Sequence, residues 1–116
     1  MKVLNLPHQE PIHFAKYILW KNETSALVKV KFKSIPSLGM LIEAAAQSSA
    51  AFNENNHNLA FLVSVKDVKL LCQLAITEYD IKINFEYRLE NIVYFYFEVI
   101  DANVQVANGT LTIALQ

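Results

Sequence analysis

Two kinds of hydrophobic pattern divide the chain: a helical pattern over residues 35–52 and alternating patterns on both sides of it. Most positions of the helical stretch are apolar or alanine, which favours a helix that is buried nearly all round. Pro36 suits the first turn of this helix, and Ser34 or Ser37 can cap its free backbone N–H groups. The chain is therefore organised around one central helix.

Strand patterns flank the helix, at residues 14–20 and 24–33 before it and at 59–74, 80–89, 92–100 and 104–115 after it. Polar turns at 21–23, 90–91 and 101–103 join neighbouring strands, so these strands pair antiparallel. Alternation over residues 80–89 places five side chains on one face, namely Ile81, Ile83, Phe85, Tyr87 and Leu89. One helix against one antiparallel sheet predicts an α+β fold.

Two local patterns each have two interpretations. The dipeptide Asn108-Gly109 is typical of a hairpin, but the turn at 101–103 favours one long strand with Gly109 in a bulge. Lys29, Lys31 and Lys33 alternate with apolar residues and indicate a solvated sheet face. The alternative for this lysine row is a docking face for an acidic carrier.

Composition limits the classes of function. A single domain over residues 1–116 with 53% hydrophobic residues indicates an additional buried surface, such as an oligomer interface. The net charge of −1 argues against nucleic-acid binding. We expect no membrane span, no signal peptide and a cytoplasmic protein. The single cysteine, Cys72, lies among leucines and is expected to be buried.

One carboxylate interrupts the apolar helix. Glu43 is the only charged residue between Ile35 and Asn53, and Gln47 lies one turn further along the same stripe. A lone buried carboxylate is costly unless it is partnered or protonated. Glu43 is therefore either at a solvated helix edge or held in a pocket for chemistry.

Two segments resemble one known family. Residues 6–11, Leu-Pro-His-Gln-Glu-Pro, resemble the Leu-Pro-His-x-x-Pro opening of hot-dog-fold 3-hydroxyacyl-acyl-carrier-protein dehydratases. Residues 39–47, Gly-Met-Leu-Ile-Glu-Ala-Ala-Ala-Gln, are similar to the Gly-Val-Leu-Ile-x-Glu-Ala-x-Ala-Gln helix of that family. The order of the later strands fits as well. The resemblance implies a hot-dog fold, in which an antiparallel sheet wraps around the central helix.

The resemblance also implies a dimer with an acyl tunnel at the subunit interface, where a histidine of one subunit faces the helix glutamate of the other. Glu43 would be that glutamate. The catalytic Gly-His-Phe-Pro-Gly loop of the family is absent, because residues 29–34 read Lys-Val-Lys-Phe-Lys-Ser. Dehydration needs both a base and an acid, so a second group is required.

Three functions remain open. The first is a divergent dehydratase, similar to the dehydratase-like proteins of aryl-polyene pathways, in which His8, His13 or His57 replaces the missing histidine. The second is a thioesterase, in which the backbone N–H groups near Leu38 and Gly39 polarise the thioester carbonyl. The third is a non-catalytic acyl-binding subunit that pairs with a second hot-dog protein.

We predict a divergent dehydratase of fatty acid or polyene biosynthesis, with Glu43 and His8 as catalytic residues. Each histidine also has a structural interpretation: His8 packed beside Pro7, His13 at the edge of the core, and His57 in solvent. The expected substrate-binding residues are Leu38, Gly39, Met40, Gln47 and Phe61. The expected partners are an acyl-carrier protein or coenzyme A thioester and a second hot-dog subunit, in a homodimer, a higher oligomer or a heterodimer. No metal and no cofactor are expected.

Overall fold

The computed structural model describes residues 2–3, 13–52 and 60–115. Its elements follow the chain as β1 (Lys2–Val3), β2 (Ala15–Lys21), β3 (Ser25–Lys31), α1 (Leu38–Ser48), a 3₁₀ turn (Ser49–Phe52), β4 (Ala60–Leu70), β5 (Glu78–Leu89), β6 (Ile92–Asp101) and β7 (Val104–Leu115). The predicted order of two strands, one helix and four strands is confirmed, and β1 is a short addition. The helix of residues 35–52 is shorter than predicted and ends in the 3₁₀ turn.

The seven strands of the described residues form one sheet in the order β1-β2-β3-β5-β6-β7-β4. Every neighbouring pair is antiparallel. The helix α1 packs against β2 and β5. This arrangement confirms the predicted α+β class.

The core lies between α1 and the inner face of the sheet. Val28 and Val30 of β3 and Ile81 and Ile83 of β5 are fully buried, as their alternation predicts, and Leu41 of α1 joins the same cluster. Burying one such side chain contributes roughly 1.5–3 kcal/mol to stability. These contacts hold the helix, and with it any group on the helix, against the centre of the sheet.

The inner face of β5 is interrupted by one extra residue, Glu86. Phe85 pairs with Phe95 of β6, and the next pair joins Tyr87 to Tyr94. One extra residue moves the following side chains to the opposite face. The Tyr87 ring accordingly stacks on Tyr94 with 4.3 Å between centroids, and Tyr87 is 50% exposed. The prediction that Tyr87 and Leu89 continue the core face of β5 is wrong for this reason.

The strand β7 runs unbroken through Asn108 and Gly109, which confirms one long strand. The bulge, however, lies in β4, where Asp67 and Val68 together face Gly109. A Cβ atom on Gly109 would lie 2.9 Å from both Val68 Cγ2 and Phe97 Cε1. The predicted bulge at Gly109 is therefore wrong, and Gly109 is needed because two side chains of neighbouring strands approach its backbone.

The predicted turns at 90–91 and 101–103 are confirmed. In the second turn, Ala102 and Asn103 have φ angles of 48° and 68°. Positive φ at both central residues is typical of a type I′ turn, whose twist matches that of the flanking strands. Short turns of this kind bring β5, β6 and β7 side by side in chain order.

Cys72 lies just after β4 and is exposed, so its predicted burial is wrong. Its neighbours Leu70 and Leu71 are 46% and 52% exposed. The physical reason is the position of β4, which pairs with β7 alone among the described strands and has no neighbour on its other side. An apolar sequence at a sheet edge therefore stays partly in contact with solvent.

Candidate functional site

The N-terminal end of the helix α1 is capped by a serine side chain and is exposed to solvent at its second residue. Ser37 is the N-cap, since its Oγ accepts a hydrogen bond from the backbone N–H of Met40 at 3.2 Å. Leu38 and Gly39 form the first helical positions, and Gly39 is exposed. A Cβ atom on Gly39 would meet Ser37 Oγ at 3.8 Å and would fit there. Backbone N–H groups at such a helix end favour nearby negative charge.

Glu43 lies one turn further along α1 and is half-buried. Gln47 Nε2 donates a hydrogen bond to Glu43 Oε1 at 3.4 Å. Gln47 itself is only 3% exposed, so this contact joins a buried amide to a half-buried carboxylate. The predicted stacking of Glu43 and Gln47 on one stripe is present, and Glu43 is not at a fully solvated helix edge.

The carbonyl oxygen of the Gln47 side chain joins the helix to the sheet. Gln47 Oε1 accepts hydrogen bonds from the backbone N–H groups of Phe14 at 2.8 Å and Ala15 at 3.1 Å. These N–H groups belong to the first residue of β2 and the residue directly before it, which are 32 and 33 positions away in the sequence. Leaving such a buried polar group without a partner would cost about 1–3 kcal/mol. Gln47 therefore stabilises the contact between α1 and β2, a role that the sequence pattern does not predict.

His13 directly precedes this contact. Its Nε2 is buried and has no hydrogen-bond partner among the residues that the structure describes. The other two predicted candidates, His8 and His57, lie outside the described residues. The described histidine is thus close in sequence to the segment that Gln47 binds, with one ring nitrogen available for a further hydrogen bond.

Phe61 lies far along the sheet from these groups. It is part of β4, at the sheet edge opposite to β1 and β2, and is 48% exposed. The other predicted substrate-binding residues, Leu38, Gly39, Met40 and Gln47, are all on α1. The described part of the chain therefore brings together the helix residues and leaves Phe61 on a separate surface.

The lysine row lies on the outer face of the sheet beside acidic residues of β5. Lys29 Nζ is 2.7 Å from Asp80 Oδ1, and Lys31 Nζ is 3.6 Å from Glu78 Oε1. These carboxylates neutralise two of the three lysines. The arrangement fits a solvated sheet face and weakens the alternative of a basic docking surface.

The same outer face holds the one tyrosine whose pKa shifts clearly among the described residues. Desolvation by burial raises the pKa of Tyr96, and the carboxylates of Glu98 and Glu86 raise it further. The phenol therefore stays protonated at neutral pH. It lies away from α1 and offers no proton transfer to Glu43.

Two further features of the described residues concern metals and membranes. No group of three or more His, Cys, Asp or Glu side chains in the described ranges could hold a metal ion. Within the same ranges, no helix is long and apolar enough to cross a membrane.

Comparison with solved structures gives several similar folds. The dehydratase heterocomplex ApeI:P from Xenorhabdus doucetiae matches with a TM-score of 0.79 and 15% identity, over 96% of this chain and 88% of that chain. A homologue of HP0420 from Helicobacter felis matches with a TM-score of 0.74 and 14% identity, over 95% and 82%. A hypothetical thioesterase with coenzyme A from Streptococcus pneumoniae matches with a TM-score of 0.70 and 13% identity, over 86% and 84%.

No family model and no curated protein sequence matches the chain. At identities of 13–15%, the structural matches describe the fold and leave the activity open. The similar structures are hot-dog proteins, and they share the arrangement of one helix packed on an antiparallel sheet. The chain has the hot-dog fold.

Proposed function

We propose that the protein acts on acyl thioesters as a divergent 3-hydroxyacyl-[acyl-carrier-protein] dehydratase. The observation that carries this proposal is the half-buried carboxylate of Glu43, which receives a hydrogen bond from the buried Gln47 on the central helix of a hot-dog fold. A carboxylate oriented in this way is suited to proton transfer. The similarity in fold to a dehydratase heterocomplex supports the reaction class.

The proposed reaction removes water from a 3-hydroxyacyl thioester. A base takes the proton at C2, the C2–C3 double bond forms, and the C3–O bond breaks as an acid protonates the leaving hydroxyl. Glu43 would exchange one of these protons and His8 the other. No cofactor is required, because the loss of water is neither an oxidation nor a reduction.

The start of α1 would bind the thioester. The backbone N–H groups near Leu38 and Gly39 would polarise its carbonyl, and Met40 would line the same end of the site. Phe61 would contact the acyl chain from a second subunit, since it lies on an exposed sheet edge. The acyl group would arrive on a carrier protein or on coenzyme A in the cytoplasm, and we expect neither a nucleic-acid nor a membrane partner.

Two other functions have specific support. One similar structure is a heterocomplex, which fits a subunit that lends Glu43 to a second, histidine-bearing hot-dog protein. Another is a hypothetical thioesterase with coenzyme A, which fits hydrolysis of the thioester by Glu43. Both alternatives use the same carboxylate. A thioesterase would differ from a dehydratase in its product, and a partner subunit would differ in its need for a second protein.

Two assays on the purified chain separate the three functions. A dehydratase releases water from a 3-hydroxyacyl thioester, and the absorbance of the conjugated product measures this reaction. A thioesterase releases free thiol from an acyl thioester that lacks the 3-hydroxyl group. We expect water loss without thiol release. Thiol release alone would contradict the dehydratase proposal, and water loss only after addition of a histidine-bearing hot-dog protein would identify a partner subunit.

A further inference from the structure

We propose that His13 binds the 3-hydroxyl group of the acyl substrate through its buried Nε2 atom. This role rests on the proposed function, in which the substrate is a 3-hydroxyacyl thioester. It adds a specificity-determining residue to the two groups that exchange protons, Glu43 and His8. His13 thereby selects acyl groups that carry a 3-hydroxyl over those that lack it.

The imidazole of His13 has one edge inside the protein. The residue as a whole is half-buried, whereas its Nε2 atom is buried and has no hydrogen-bond partner among the described residues. A second buried atom without a hydrogen bond, Asp80 Oδ1, lies 2.7 Å from Lys29 Nζ and so has an ionic partner. Within the described ranges, His13 Nε2 is the one buried side-chain nitrogen or oxygen atom with neither kind of partner. Buried polar atoms are normally bonded, so a ligand for this nitrogen is expected.

The backbone of His13 is fixed beside the proposed site. The Phe14 nitrogen that donates to Gln47 Oε1 at 2.8 Å belongs to the peptide group that joins His13 to Phe14. The amide nitrogen of Gln47 in turn lies 3.4 Å from Glu43 Oε1. The imidazole therefore leaves the main chain next to the polar pair of α1, on a segment that a buried amide holds in place.

The chemistry of imidazole favours a hydroxyl group as the ligand. A ring nitrogen either donates or accepts a hydrogen bond, depending on where the proton lies, and a hydroxyl group pairs with it in both cases. A thioester carbonyl only accepts, and the backbone N–H groups near Leu38 and Gly39 are available for it. A site that bonds a substrate hydroxyl discriminates against the analogue without it, because its own polar atom is then left unpaired.

Three substitutions change the hydrogen-bonding atom at one position. The side-chain amide nitrogen of glutamine lies about as far from the main chain as Nε2 of histidine, whereas that of asparagine corresponds to Nδ1. His13→Gln therefore keeps a polar atom at the buried point, and His13→Asn withdraws it. His13→Phe keeps a ring and removes both nitrogens.

The ligands for the test are 3-hydroxybutyryl pantetheine and butyryl pantetheine, which differ by one hydroxyl group. Titration calorimetry in a Glu43→Gln background, where we expect no turnover, measures both dissociation constants. The preference for the hydroxylated ligand should fall at least about fivefold in His13→Asn and His13→Phe and should be retained in His13→Gln. Equal weakening of both ligands would show contact with their common part, and an unchanged preference would show no contact. Either result would overturn the assignment.

Stability separates this role from a structural one. Because Nε2 has no partner among the described residues, His13→Phe should leave the urea midpoint of unfolding unchanged or raise it. A histidine that is bonded within the core would lose stability on the same substitution. A lowered midpoint in His13→Phe would therefore count against a ligand-binding role.

Kinetics separate binding from proton transfer. His13→Asn should raise KM for a 3-hydroxyacyl thioester, with kcat changed less than about threefold. A fall in kcat of roughly 10²-fold or more would indicate proton transfer and overturn the binding role. A preference that depends on His13 in a protein that releases no water would contradict the proposed dehydratase and leave the hydroxyl site established. Binding of neither thioester would contradict both.

Discussion

His13 combines burial with an unused hydrogen-bonding atom. Its Nε2 is buried without a partner among the described residues, and the next two residues bind Gln47 through their backbone. A buried imidazole nitrogen without a partner costs about 1–3 kcal/mol of stability. Such a cost is tolerated where the group meets a ligand or a further part of the chain, so His13 is the alternative to His8 for the second proton.

Single replacements of His8, His13 and His57 by asparagine test which histidine transfers the second proton. We expect His8→Asn to lower the rate of water loss by roughly 10²–10⁴-fold, as is typical of a general acid–base group. The other two replacements should have much smaller effects on turnover, measured at saturating substrate. A comparable loss in His13→Asn instead would contradict the assignment of His8.

Gln47 shows how far residue-level prediction from the sequence reaches. Its place on the stripe of Glu43 follows from helical spacing alone, and the structure contains the contact. Its bonds to Phe14 and Ala15 join positions 32 to 33 apart and depend on how α1 lies on the sheet. The available signal was a lone amide in an apolar helix, which indicates a buried group in need of partners without naming them.

Among the secondary-structure elements, β4 and β7 meet at an irregular point. Two residues of β4, Asp67 and Val68, face the single residue Gly109, and Asp67 has a φ of 54°. Val68 and the fully buried Phe97 then fill the space that a side chain at position 109 would need. The edge strand β4 can therefore pack against β7 at this point because position 109 has no side chain.

The substitution Gly109→Ala should therefore destabilise the protein by roughly 1–3 kcal/mol, the usual cost of overpacking a core. Urea unfolding followed by circular dichroism measures the change. The second glycine supplies the control, since a Cβ on Gly39 would meet only Ser37 Oγ at 3.8 Å among nearby atoms. Gly39→Ala should leave the free energy of unfolding unchanged or raise it. Equal destabilisation by both changes would contradict this packing explanation.

Strands and turns were predictable where local chemistry decides them, and bulges were not. The turn at Ala102 and Asn103 and the buried alternation of β3 follow from neighbouring residues. The bulge at Glu86 of β5 and the bulge at Asp67 and Val68 of β4 depend on how each strand pairs with its neighbour in the sheet. Each shifts the register by one residue, which reverses the faces of the side chains that follow.

The whole molecule leaves an apolar surface at one sheet edge. Along β4 and just after it, five large apolar side chains are 38–57% exposed, namely Phe61, Leu62, Val63, Leu70 and Leu71. Exposed apolar patches of this kind often mark protein–protein interfaces, and an unpaired strand edge is prone to association. The high hydrophobic fraction of the sequence predicted such a surface without locating it.

We expect a dimer that covers this edge. Sedimentation velocity at micromolar concentration should give about twice the monomer mass. The substitution Phe61→Asp should shift the protein toward monomer, because it places a charge in the proposed interface. Tyr87→Asp, at a 50% exposed position on the outer face, is the control and should remain dimeric. A monomeric unmodified protein at these concentrations would contradict the interface and the role proposed for Phe61.

In the proposed reaction, the Glu43 carboxylate performs proton transfer on a 3-hydroxyacyl thioester. The most direct measurement is the rate of water loss in Glu43→Gln beside Glu86→Gln, which makes the same chemical change at an exposed position of β5. We predict a loss of at least roughly 10²-fold in Glu43→Gln, with an unchanged circular dichroism spectrum and with normal turnover in Glu86→Gln. Turnover in Glu43→Gln equal to that of the unmodified protein would contradict the claim.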